Sequence, residues 1–381
     1  MEANNRFSKF IPERLVEARE ARGLTAAELA KDVGISQQAI SKFEKRDSSS
    51  PSFETIEKIS SVLNVPVHFF YKDIIPFEES VVFYRSKSAA TVKSKKIHAN
   101  KLKWIREVSL YADALLVFPK INVPRFVTRE SFIPTDFEEI EEMANKVREQ
   151  WGLGRGPISN IVLLLEKMGA VVARSPFSTH SIDACSMWKP LDRPYILLSN
   201  DKTASRSRFD IAHELGHLVL HSYLKVSEFN NKENYKRIEK EANRFASAFL
   251  LPSTSFGREI FTSSLDHLIS LKERWKVSIN AIAYRAVQLE IFNEYQYIYI
   301  KNNLAKKDWL IKEPLDEKIP FEEPLLLKQA FEAIINNNIK TRQDVLNEIR
   351  LHHEEIEAIA NLENNYLVPK EPGKVFTFKI K

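Results

Sequence analysis

Asp210-Ile211-Ala212-His213-Glu214-Leu215-Gly216-His217-Leu218-Val219-Leu220-His221 holds the densest chemical pattern in this 381-residue chain. Ile211, Ala212, Leu215, Leu218 and Val219 recur at helical spacing, which predicts a mostly buried helix. His213 and His217 lie four residues apart, about 40° of rotation and about 6 Å of rise on an α-helix, so both imidazoles face one side. That spacing suits two ligands of one tetrahedral Zn2+. Glu214 is turned about 100° from His213, placed to accept a proton from water at the metal without ligating it. The bland alternative is a pair of core histidines bonded to carbonyl groups.

A catalytic zinc needs a third protein ligand and one open position. Residues 235–251 carry Ile238, Ala242, Phe245, Ala246, Phe249 and Leu250 at helical spacing and stop at Pro252. With Ile238 set at zero, this apolar stripe runs from about −20° to about 120°. Glu239 falls within it, at about 100°, and Glu241 outside it, near −60°. A carboxylate aimed into an apolar seam requires a strong partner, so Glu239 is the expected third ligand; a rim salt bridge is the alternative. Asn243, at about 140°, could orient a ligand from behind. His221 continues the row of His213 and His217 and reads as a substitute ligand or a polar cap on the helix end.

Upstream, residues 7–73 read as a run of short helices. Pro12 suits the first turn of one and Gly23 its end. Thr25 with Glu28 forms a capping box for a second helix, Gly34 ends it, and Ser36 caps a third. Two short helices joined by Gly34-Ile35-Ser36 are the layout of a helix-turn-helix, whose second helix enters the major groove. Gln37, Gln38, Ser41 and Lys42 are its expected DNA-facing residues. Gln matches adenine bidentately, while Ser and Lys suit bases or phosphate. A small helical bundle that docks protein is the other reading.

Hydrophobic residues make up 44% and charged residues 28% of the chain, a folded rather than a disordered profile. No apolar run is long enough to cross a bilayer and no signal-peptide pattern opens the chain, so no membrane partner is expected. The one cysteine, Cys185, excludes an internal disulfide and a CxxC metal site; a cytoplasmic protein is expected, with Cys185 a small core residue. Net charge is +5. Residues 85–106 hold eight basic side chains and no acidic one, either a phosphate-neutralising block or a solvated linker.

Elsewhere, Thr135 and Glu138 predict a capping box for a helix over 136–151, and Pro157 with Ser159 opens another to Met168. Residues 170–173 and 195–198 read as strands, and 265–275 with 279–292 as a helical pair. Helices are expected near 325–336, 341–349 and 353–361; His352-His353 lacks ligand spacing and reads as surface. The fold class is α+β, mostly helical. It comprises an all-α helix-turn-helix domain (7–73), a basic linker (74–130), a zincin-like metallopeptidase domain (131–295) and a C-terminal helical appendage (296–381).

Leu24-Thr25-x-x-Glu28-Leu29-Ala30-x-x-Val33-Gly34-Ile35-Ser36, then Ile40-Ser41-x-x-Glu44, resembles the phage-repressor-like (XRE) helix-turn-helix. The resemblance implies binding to double-stranded DNA, as a homodimer on palindromic sites. Ala26 stands where that family usually has Gln. The middle of the chain resembles the ImmA/IrrE metallopeptidase family. The matching residues are Arg193-Pro194-x-Ile196-x-Leu198-x-Asn200, Arg206-x-Arg208-Phe209-x-Ile211-Ala212-His213-Glu214-Leu215-Gly216-His217, and Glu239-x-Glu241-Ala242-Asn243-x-Phe245-Ala246. This resemblance implies zinc on His213, His217 and Glu239, with Glu214 as general base. It also implies a protein substrate, a transcriptional repressor whose cleavage switches on stress-response or mobile-element genes. The strand at 195–198 would pair a substrate backbone beside the cleft. No oxyanion donor is assigned; His180, Tyr223 and Arg208 are the candidates. A DNA-binding regulator that senses a signal without proteolysis is the alternative function.

Overall fold

The computed structural model describes residues 9–45, 49–76, 81–85, 91–127, 129–175, 182–188 and 192–369. The chain divides into two compact units, one built from residues 1–75, 107–117 and 327–381, the other from 76–106 and 118–326.

The first unit begins with α1 (Pro12–Ala21), α2 (Ala26–Val33), α3 (Gln37–Phe43) and α4 (Phe53–Leu63), closed by a short 3-10 turn at Val67–Tyr71. Local chemistry sets these boundaries. Thr25 accepts from the Glu28 amide while Glu28 reaches back to the Thr25 amide, the expected box. Gly34, at φ 78°, ends α2 in the left-handed region that a side chain would strain, and Ser36 accepts from the Ala39 amide to open α3. Leu15, Leu29, Ile40, Ile56, Leu63 and Phe69 make the small core. Arg14 is fully buried but paired, to Glu17 at 2.9 Å and Glu107 at 2.7 Å.

The second unit holds a four-stranded sheet of order β1-β3-β4-β2, formed by β1 (Val82–Arg85), β2 (Val171–Ser175), β3 (Ala184–Met187) and β4 (Tyr195–Ser199). β1 and β4 both run antiparallel to β3, and β2 runs parallel to β4. Its helices include part of α5 (Val92–Asp113), then α6 (Phe137–Gln150), α7 (Ile161–Lys167), α8 (Ala204–Leu220), α9 (Val226–Phe229) and α10 (Lys232–Leu250). The helices α11 (Ser253–Glu259), α12 (Leu265–Trp275), α13 (Ile279–Gln288) and α14 (Glu294–Lys306) complete it. α8 and α10 pack through Ile211, Leu215, Leu218, Phe245 and Phe249, which join Ile196 and Leu198 of β4 in one core. A Cβ on Gly216 would lie 3.1 Å from the Ala242 carbonyl oxygen, so glycine there lets the two helices approach closely.

The α+β, mostly helical class stands, with several differences in detail. The stretch 74–130, read as a basic linker, contains β1 and α5. Ile97, Leu102, Trp104, Ile105 and Val108 are buried, so α5 folds on apolar burial that its basic residues concealed. Arg85 pairs with Asp210, Arg106 with Asp192, and Lys101 donates to Ser175 Oγ, so these cations serve the fold. Thr135 does not cap α6. Asp136 holds that position without a side-chain bond, because the Thr135 amide is drawn to Glu241 at 2.9 Å. The C-terminal helices α15 (Leu326–Asn336), α16 (Arg342–Ile349) and α17 (His353–Ala360) group with the helix-turn-helix residues, through Arg22–Glu355 at 2.7 Å and the Arg350 guanidinium on the Tyr71 carbonyl at 3.1 Å.

Candidate metal centre and DNA-facing helix

α8 and α10 bring His213, His217 and Glu239 together. His213 Nε2 and His217 Nε2 stand 3.0 Å apart; Glu239 Oε2 is 3.4 Å from the first and Glu239 Oε1 3.3 Å from the second. With metal–ligand bonds of about 2.0–2.1 Å, tetrahedral donors sit about 3.3–3.4 Å from one another. The three side chains therefore already have nearly the edges of such a site.

The groups behind the two imidazoles fix their protons. Glu241 Oε2 lies 3.0 Å from His221 Nε2, and the same carboxylate accepts from the Thr135 amide and Arg237 Nε, both at 2.9 Å. As an acceptor-only group, the Glu241 carboxylate places the proton of His221 on Nε2. His221 Nδ1 is then an acceptor, and His217 Nδ1, 3.1 Å away, donates to it. His217 Nε2 is left as a lone pair. On the other ligand, His213 Nδ1 donates to Asn243 Oδ1 at 3.1 Å, and Arg85 Nη1 holds that oxygen at 3.0 Å. His213 Nε2 is therefore a lone pair as well. Burial, with the charge of Arg85, pushes His213 below the ordinary histidine range, and burial lowers His217 and His221 to about 4, so all three are neutral near pH 7.

Two lone pairs and a carboxylate thus face one point with no proton to share. Glu239 Oε1 and Glu214 Oε1 are both buried without a hydrogen-bond partner. Acceptors crowded in this way repel one another unless a cation lies between them, so the donor set fits a divalent ion of the zinc type.

Glu214 lies on the same helix, fully buried. Its Oε2 accepts from Ser186 Oγ on β3 at 2.5 Å, which leaves Oε1 free. Burial raises its carboxyl well above the ordinary value, the direction that suits a base working near neutrality.

The structure brings the Glu239 carboxylate to the two imidazoles, but the reasoning that set Glu241 aside does not hold. Glu241, assigned to the outside of the apolar stripe, is 1% exposed and more buried than Glu239, whose side chain keeps 18% exposure. His221 is neither a ligand nor a mere cap; it links Glu241 to His217. Asn243 stands behind His213 as expected. Ser186 and Arg85 were missed, because each lies on a four-residue strand with little pattern of its own. Arg208, a suggested oxyanion donor, turns to Glu322 and the Ile158 carbonyl. Tyr223 is half-buried near Arg129, Glu241 and Glu228, and His180 lies outside the described residues. The strand at 195–198 is interior, paired on both edges by β2 and β3, so it has no free edge for a substrate. Cys185 is buried on β3. His352, His353 and Glu354 also gather donor atoms, but His353 is already bonded to Glu357.

In the other unit, α3 exposes Gln37, Gln38 and Lys42, while Ser41 is half-buried. Arg19 grips Glu44 at the end of α3, at 2.5 Å, and so anchors the helix to α1. No helix among the described residues is long and apolar enough to cross a membrane.

Residues 165–287 match the IrrE N-terminal-like domain, and residues 15–70 match the helix-turn-helix family. Two curated relatives, the HTH-type transcriptional regulators SinR of Bacillus subtilis (strain 168) and of Bacillus licheniformis, are each 34% identical over 58 residues, 15% of this chain and 52% of theirs. The chain thus spans about half the length of the curated relatives it matches. A solved Mycobacterium tuberculosis transcriptional regulator is similar over 48% of this chain and 51% of its own, at 18% identity and a TM-score of 0.30. The chain therefore joins a helix-turn-helix DNA-binding domain, residues 15–70, to an IrrE N-terminal-like domain of the metallopeptidase class, residues 165–287.

Proposed function

We propose that the chain is a cytoplasmic zinc-dependent endopeptidase tethered to double-stranded DNA, and that it cleaves a transcriptional repressor. The observation that carries the metal assignment is the pair of imidazole lone pairs, 3.0 Å apart and flanked by the Glu239 carboxylate, whose outer partners leave them no proton to share. His213, His217 and Glu239 would hold the ion. A bound Zn2+ supplies Lewis acidity toward a carbonyl and makes water easier to deprotonate.

The chain's own groups do the rest. Ser186 fixes one oxygen of Glu214 by a hydrogen bond and so aims the unpartnered Oε1. That oxygen takes the proton from attacking water and returns it to the departing amine. Glu241 through His221 keeps His217 turned with Nε2 inward, and Asn243 does the same for His213. In the DNA-binding unit, Gln37, Gln38, Ser41 and Lys42 of α3 would meet base edges and phosphate, the module acting as a homodimer on a palindromic site. A second reading, signal sensing without proteolysis, draws support from the burial of His213, Glu214 and His217, each 0% exposed.

One comparison separates the two readings. Zinc-loaded protein is incubated with the small helix-turn-helix repressors encoded nearest its own gene, beside a Glu214→Gln variant. The peptidase reading expects cleavage by the first, loss of about 10²–10⁴-fold in rate in the second, and equal zinc content in both. Cleavage undiminished by Glu214→Gln would refute the assigned base, and no cleavage of any candidate would favour the sensor.

A further inference from the structure

β1 lies outside the segment that matches the IrrE-like domain, yet it sits against the metal donors. Its register on β3 sets Phe83 opposite Ser186, the residue that holds Glu214. Phe83 and Arg85 share one face of the strand, two residues apart. The Phe83 ring lies parallel to the His217 imidazole, with centroids 4.6 Å apart and planes at 8°, and meets Phe229 edge-on at 5.3 Å. Arg85 reaches Asp210 and the Asn243 oxygen that orients His213. With β1 in this place His213, Glu214 and His217 are 0% exposed, and only Glu239 retains side-chain exposure, of 18%. A polypeptide cannot bring a carbonyl to donors so enclosed.

The outer edge of β3 is also where an added strand would lie closest to Glu214, because Ser186 is on it. Edges of this kind are templates for pairing with an extended peptide. We propose that β1 is a resident occupant of the substrate edge: it pairs with β3 where the backbone of a target would pair, and cleavage requires its displacement. The inference rests on the peptidase reading above. A target taking the same place would offer an aromatic side chain between His217 and Phe229 and, two residues later, a cation facing Asp210 and Asn243.

The register supplies the test. Tyr84 stands opposite Cys185, the one cysteine of the chain, so Tyr84→Cys creates a pair that oxidation can join across the two strands. The double variant Tyr84→Cys with Cys185→Ser cannot be joined and controls for loss of the tyrosine. Two rates are read on zinc-loaded protein, with cross-linking confirmed by loss of both free thiols: stripping of zinc by EDTA, and cleavage of the repressor identified above. If access passes through a state in which β1 has left, the cross-link should slow both by about tenfold or more, reductant should restore both, and the double variant should ignore the oxidant. Equal rates before and after cross-linking would overturn the proposal. Slowed stripping with no cleavage in either form would keep β1 as a gate and remove the peptidase reading instead.

Discussion

Glu241→Gln tests the proton logic behind the metal centre most sharply, because it changes one atom and leaves the shape intact. The carboxylate accepts three hydrogen bonds, from the Thr135 amide, Arg237 and His221. A glutamine must place its NH2 group on one side. If it faces Thr135 and Arg237, donor meets donors in a buried place, a penalty of about 1–3 kcal/mol. If it faces His221, it donates to Nε2; the His221 proton moves to Nδ1, His217 Nδ1 must become the acceptor, and the proton of His217 moves to Nε2, where the ion should sit. Either outcome weakens metal binding. Loss of such an outer partner lowers affinity about 10–100-fold, which is about 1.4–2.7 kcal/mol. Competition against a chromophoric zinc chelator measures this directly, and nitrogen-15 imidazole spectra of the metal-free protein report which nitrogen of His217 carries its proton. An affinity within about twofold of wild type, with the His217 tautomer unchanged, would refute the relay.

Two further outcomes are expected. On a palindromic operator selected from random DNA, Gln38→Ala should cost about 1–3 kcal/mol for the preferred sequence, whereas Lys42→Ala should weaken all sequences alike and reduce the salt slope by about one; the reverse pattern would exchange their roles. Burial lifts the Glu166 carboxyl to about 7 despite the Leu325 and Leu326 amides that favour its charge. Its folded value lies above the ordinary 4.5, so this group's contribution to stability is greatest below 4.5, falls as pH rises toward about 7, and is level beyond. Denaturant unfolding of Glu166→Gln should lack that part of the slope, and superimposable pH profiles would contradict the assignment.

Much of the DNA-binding unit was legible because its signals are local. Thr25 with Glu28, Gly34 and Ser36 each fix a helix end through bonds spanning three or four residues, and the observed helices begin and end close to them. The spacing of His213 and His217 was legible for the same reason. The error over Glu241 is instructive. A single apolar stripe predicts one buried face, but α10 packs against α6 and α9 as well as α8, so its opposite flank is also covered. Nothing in the periodicity distinguishes a buried carboxylate with three partners from an exposed one. His221, one turn beyond His217, was the available clue to it. β1 and β3 were missed because four-residue strands carry too few alternations to stand out, and with them went Ser186, Phe83 and Arg85. The basic stretch misled in another way: its charges drew attention from Trp104 and Ile105, which are buried.

X-ray absorption at the zinc edge, on protein loaded with one equivalent of metal, tests the convergence of three side chains on one cation most directly. The expected spectrum shows a four-coordinate ion with two imidazoles and light ligands at about 2.0–2.1 Å, and the imidazole signature should weaken in His217→Ala. A spectrum of six oxygen-like ligands without imidazole scattering, or a protein that retains no zinc, would contradict it.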